Sequence, residues 1–244
     1  MNKISRTIFT VILLASSAAG LRAQQFPNTA VLRMPQISTV AAAQIATCDL
    51  TAIIADENGN PIPKERARAM HWKDGVWKTD QRDVMVQLLF PIKHLIDQGK
   101  TKLSYKTEYK IVLSNKAKQE LKLTSSLPMS ATEPFTADAV LPLDTVTIDA
   151  GGLKYDDSAL RGVRVTLDGR LEGRERKQSV AFAPRTAQTA VFLIDRGSKA
   201  SSQILFVCNY KGKMVQLPWD DNNKELSTPP SGLNIRLAQP DCPQ

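Results

Sequence analysis

KLSYKTEYKIVL, residues Lys102 to Leu113, alternates with a period of two: Leu103, Tyr105, Tyr109, Ile111 and Leu113 fall on one face, and Lys102, Ser104, Lys106, Glu108 and Lys110 on the other. Successive side chains of extended backbone point to opposite sides, so this separation marks a strand half buried in a sheet. A turn is expected over Asn115 to Gln119. Leu121 and Leu123 resume the alternation in Glu120 to Thr124, which gives two strands of an antiparallel meander.

The same style extends in both directions. Upstream, Asp49 to Ala55 reads as a strand ended by Asp56-Glu57-Asn58-Gly59-Asn60-Pro61, and Asn-Gly is the strongest short turn signal. Val84 to Phe90 is an apolar run of strand length. Ile37 to Ala46, rich in alanine, and Lys64 to Met70 are short helical candidates. Downstream, strands are expected at Arg161 to Leu167, Ser179 to Ala183, Thr189 to Asp195 and Gln203 to Tyr210. Lys211-Gly212 then turns the chain into Lys213 to Trp219, and Leu233, Ile235 and Leu237 make a last strand. This density of strands predicts a mainly β fold of antiparallel β-sandwich architecture, two Ig-like sandwiches in tandem with one or two short helices. Gly151-Gly152 and Asp156-Asp157 interrupt the pattern, so the division is expected at 24–150 and 151–244; Ser125 to Asp138, with Pro128 and Pro134, competes for the boundary. No repeat of fixed period is visible.

The N-terminus points to export. Lys3 and Arg6 precede an uncharged run from Thr7 to Leu21, too short to span a bilayer as a helix and followed by small residues, as in a secretory signal peptide. Cleavage fits after Gly20 or after Ala23; the second is preferred and makes 1–23 the signal peptide. No later segment is apolar enough to span a membrane. Loss of Lys3, Arg6 and Arg22 would leave 29 basic against 24 acidic side chains, a mildly basic product biased toward anionic neighbours. Nucleic acid is disfavoured by the compartment.

Three cysteines remain in the exported chain, Cys48, Cys208 and Cys242. Two of them are expected to pair in an oxidising compartment. Cys208 with Cys242 is preferred, since it staples the tail to a strand; Cys48 with Cys242 is the alternative. The odd thiol would be buried or would link two chains.

Catalytic chemistry finds little footing. The sequence has two histidines, His71 and His94, and no H-E-x-x-H, G-x-S-x-G, phosphate-cradling glycine loop or C-x-x-C pair. Asp156-Asp157 and Asp220-Asp221 read as solvated turn acids before they read as a glycosidase or calcium pair. No cofactor and no metal are implied. The most distinctive local feature is His71-Trp72-Lys73-Asp74-Gly75-Val76-Trp77-Lys78: a turn at Asp74-Gly75 would present Trp72, Trp77 and Lys73 for binding, and the competing reading places the indoles in a sandwich core. Lys102, Lys106 and Lys110, with Lys100, Lys116, Lys118 and Lys122 nearby, form a positive patch suited to an anionic polymer or to protecting a sheet edge.

Size, basic balance and a pair of sandwiches are similar to the periplasmic chaperones of pilus assembly. The apolar strand leading into a Pro-Pro-Leu-Phe-Arg-like element is missing, however, and Thr228-Pro229-Pro230-Ser231 stands in another context, so no family is assigned. The expectation is an exported bacterial protein of the periplasm or cell surface that binds an envelope or surface protein, or an anionic glycan, without catalysis. It would serve as a subunit or accessory of an appendage, secretion or adhesion system. A periplasmic inhibitor or immunity-type protein is the alternative, ahead of a pilus-type chaperone or an envelope-glycan hydrolase.

Overall fold

A computed structural model describes residues 28–79, 85–100, 102–130, 135–155, 159–219, 225–227 and 232–243. The segment 1–23, expected to be a signal peptide, and Asp156-Asp157, Asp220-Asp221 and Thr228-Pro229-Pro230-Ser231 lie outside the described residues. The chain is mostly β, in four sheets with two short helices. In order, the elements are β1 (Thr29–Arg33), α1 (Thr39–Ala42), β2 (Ile45–Asp56), β3 (Arg68–Lys73), β4 (Val76–Lys78), β5 (Gln87–Pro91), α2 (Lys93–Asp97), β6 (Leu103–Leu113), β7 (Glu120–Pro128) and β8 (Thr136–Asp138). They continue as β9 (Leu143–Asp149), β10 (Leu160–Leu171), β11 (Arg174–Phe182), β12 (Thr189–Asp195), β13 (Lys199–Tyr210), β14 (Lys213–Pro218), β15 (Glu225–Ser227) and β16 (Leu233–Arg236).

These strands build two β-sandwiches in tandem. In the first, the sheet β4-β3-β2-β6-β7 faces the sheet β5-β1-β8. Cys48, Leu50, Ile54, Met70, Tyr105, Tyr109 and Ile111 of the larger sheet meet Ala30, Leu32, Leu88 and Phe90 of the smaller in one core. In the second, β11-β10-β13-β14, with β15 also on β13, faces β12-β9-β16, and Val163, Val165, Ile204 and Phe206 pack on Val146, Ile148, Phe192 and Ile194. The alternation in Lys102–Leu113 is realised as expected, with Tyr105, Tyr109 and Ile111 wholly buried.

The two sandwiches follow one path. The first strand of each, β1 or β9, is central in the smaller sheet, antiparallel to one neighbour and parallel to the last strand of its unit, β8 or β16. The second strand, β2 or β10, is 12 residues long and shifts register near its start, between Ile45 and Thr47 or between Leu160 and Gly162. β9 precedes the division drawn at 150, yet its partners β12 and β16 both follow it.

Two local readings are corrected. Lys64 to Met70 is no helix: Lys64 has φ of 73°, outside the helical range, and the segment opens out into β3. The helix α2 went unread, being a single turn closed by Gly99 at φ of 74°. The helical reading of Ile37 to Ala46 shrinks to α1, capped by the Ser38 hydroxyl, which accepts the Ala41 N–H at 3.2 Å.

The units meet at a packed seam. Leu171, at the end of β10, and Leu193 of β12 join the core of the first sandwich. The Lys122 N–H donates to Glu172 Oε1 at 2.9 Å, so the β10–β11 hairpin tip sits on the edge of β7. Asp195 holds that tip by accepting the N–H groups of Glu172 and Gly173 at 2.8 and 2.7 Å.

Candidate binding surface

The Trp72–Lys78 feature forms the expected hairpin. Asp74 and Gly75 have φ of 52° and 87°, as a two-residue turn between twisted strands requires. The turn makes Trp72 and Trp77 direct cross-strand partners, so both indoles share one face, and it is the face of Met70, which points inward. Trp72 is 5% exposed and Trp77 7%, and the Trp77 indole N–H donates to the Pro35 carbonyl at 3.0 Å. The structure thus corrects the reading in which Trp72, Trp77 and Lys73 form an exposed trio. Lys73 alone is in solvent, beside the turn.

Surface is offered instead by the outer face of β3-β2-β6-β7. Strand register arranges it in rows: His71, Asp49, Lys110 and Lys122 lie side by side, and next to them Ala69, Thr51, Glu108 and Thr124. These residues line an open concavity of about 710 Å³. His71 Nδ1 is paired with Asp49 Oδ1. Lys110 and Lys122, like charges directly opposite each other, are reconciled by Glu120, whose carboxylate meets their ammonium groups at 3.0 and 3.5 Å. The hydrogen bond from Lys110, then its charge and that of Lys122, holds the Glu120 carboxyl below its ordinary range. Lys102 is paired with Glu57 at 3.2 Å.

The lysine patch read from the sequence is therefore a surface of interleaved charge. Asp49, His71 and Glu120 were missed as members because cross-strand neighbours depend on register, which periodicity within one strand does not carry. His94, the other histidine, contacts Glu65 Oε1 at 2.7 Å away from this face.

The cysteines sort as expected. Cys208 and Cys242 form the disulfide, with Cα atoms 5.7 Å apart, joining the tail after β16 to β13 in the opposite sheet. Cys48 is free and buried in the first core. Desolvation, with a smaller contribution from Asp49, pushes its thiol up to about 12, so it has little thiolate character. Among the described residues no helix is long and apolar enough to cross a membrane.

No family model and no curated protein matches the chain. Among solved structures, the major pilin protein (T-13) from Streptococcus pyogenes serotype GAS131465 is similar at 8% identity and a TM-score of 0.25, over 86% of this chain and 94% of that one. A likeness at that level carries no argument about function.

Proposed function

We propose that this chain is an exported, non-catalytic protein of the bacterial envelope or surface that works by contact with a protein partner, as a subunit or accessory of an appendage, secretion or adhesion system. The observation that carries the reading is the outer face of β3-β2-β6-β7. It is broad and shallow, and its charged groups are held in order by one another rather than converging on one reacting atom. Complementary charge on a partner would set register and rate of encounter there.

A protein partner is favoured over a glycan by the composition of the face. Ala69, Thr51 and Thr124 alternate with charges, and the indoles that would stack on sugar rings are inside. Carboxylates of Asp49, Glu108 and Glu120 among the lysines also disfavour an anionic polymer. The inhibitor reading loses the tryptophan contacts on which it was built. Support for the compartment comes from the Cys208–Cys242 disulfide, since such bonds persist in oxidising environments.

Affinity capture from detergent-solubilised envelopes tests the proposal. The protein lacking residues 1–23 is expected to retain one envelope protein, and Lys106→Glu with Lys110→Glu to release it. Equal retention by the variant would remove this face from the account, and recovery of the uncut chain from the cytoplasm would remove export.

A further inference from the structure

The edges of the four sheets are not protected alike. β11 carries Arg174, Glu175, Arg176 and Lys177; β7 carries Glu120 and Lys122 and ends on Pro128; β14 has Lys213 and ends on Pro218; β5 ends on Pro91. β4, β8, β15 and β16 are three or four residues long. Charge, proline and brevity are the usual devices that keep a strand edge from pairing with foreign backbone. β12 has none of them over its first six residues: Thr189 to Ile194 is uncharged, proline-free and in unbroken register with β9.

The unpaired side of β12 can be identified. The Arg196 N–H donates to the Pro142 carbonyl and the Gln188 carbonyl accepts from Ala150, so even-numbered residues point their backbone groups toward β9. Odd-numbered residues point away, as the Leu193 carbonyl shows by accepting Gln178 Nε2 at 2.8 Å. Asp195 is committed to the hairpin tip. Among the described residues that leaves the N–H and C=O of Thr189 and Val191 as open rungs, since β12 ends its sheet and Leu193 is buried in the seam.

A groove of about 350 Å³ lies at this position. Val191 and Leu193 line it with Leu113 and Gln119 of the first sandwich, and Arg176 and Lys177 stand at its rim. Successive residues of β11 face opposite sides of its sheet, so Lys177 lies on the outer face with Asp168, 3.6 Å away, and Arg176 on the inner face with Gln178. The carboxylate nearest Arg176, that of Glu172, is 3.7 Å away, beyond hydrogen-bonding distance, so the guanidinium keeps donors to spare.

We propose that the open edge of β12 takes a short extended segment of a partner protein by strand addition, and that the segment carries a carboxylate that meets Arg176. The proposal rests on the binding reading above and adds to it a second, separate contact. Backbone rungs at Thr189 and Val191 give affinity without regard to sequence, and the rim guanidinium selects an acidic segment. The wall from the first sandwich makes the groove one-sided, which suits a single strand better than the sheet edge of a second copy.

The test uses the full exported chain and a fluorescein-labelled hexapeptide of alternating valine and glutamate, read by anisotropy and by amide exchange. Saturable binding is expected, with exchange of the Val191 amide slowed on addition of peptide. A valine–glutamine peptide, a valine–glutamate peptide methylated on alternate backbone nitrogens, and the variant Arg176→Gln should each bind about tenfold more weakly or worse. Val191→Pro removes a rung and should abolish binding; the charge variant serves if that substitution prevents folding. Absence of binding, or equal binding of the methylated peptide, overturns the proposal. If no valine–glutamate peptide binds while the partner is still captured from envelopes, the edge is overturned and the binding reading stands.

Discussion

Trp72 and Trp77 face one another across a two-residue turn and enter the core together. Truncating either to alanine should cost about 3–5 kcal/mol, the usual loss for a buried aromatic, whereas Lys73→Ala should stay within about 0.5 kcal/mol. Urea unfolding followed by circular dichroism measures both. A tryptophan variant of unchanged stability would return the indoles to the surface. Cys48 makes a second prediction at this scale. Its folded thiol is raised to about 12 from an ordinary value of 9.0, so the unfolded chain releases that proton first as pH rises. Stability from this group is complete below about pH 9 and is lost between about pH 9 and 12. Burial raises Tyr105 and Tyr109 as well and adds to the alkaline loss above pH 10. Cys48→Ala should flatten the first part of that slope in denaturation midpoints taken from pH 8 to 11, and native Cys48 should resist iodoacetamide until denaturant is added.

Among the elements, Gly162 marks the bulge at which β10 shifts register against β13, and a Cβ built there would sit 2.9 Å from the Phe182 carbonyl. Gly162→Ala should therefore destabilise the second sandwich by about 1–3 kcal/mol, read as a lower midpoint in thermal unfolding, because the backbone of β11 has to give. The sequence made strands such as Lys102–Leu113 and Thr189–Asp195 legible, since each has its own period of two or its own apolar run. Those signals are local. Partnership is not: β9, unread as a strand, lies before the division drawn at 150 and pairs into the unit after it, and β16 lies parallel to a strand more than 80 residues earlier. The shared path of the two units escapes sequence reading for the same reason, since it resides in the order of pairing while the side chains that fill the two cores differ. In the candidate surface, alternation disclosed the lysines of β6 and register supplied their counterions.

For the whole molecule, Leu171 and Leu193 make the two sandwiches one body, because side chains from the second complete the core of the first. Calorimetry should show a single transition for the native chain, and Leu171→Ala with Leu193→Ala should split it in two, each leucine costing about 2–5 kcal/mol. A single unshifted transition in the variant would mean that the seam contributes nothing to cooperativity. The coupled body presents the charged outer face of β3-β2-β6-β7 and, apart from it, the open edge of β12, while the tail disulfide fastens the last strand. The function we propose for it is contact rather than reaction. The most direct measurement is photo-crosslinking in intact cells from an ultraviolet-activated side chain placed at Lys106, on that face, and at Lys211, in the exposed β13–β14 turn, as a control. One discrete heavier species from position 106 and none from 211 is predicted; no adduct from 106, or the same adducts from both positions, would contradict it.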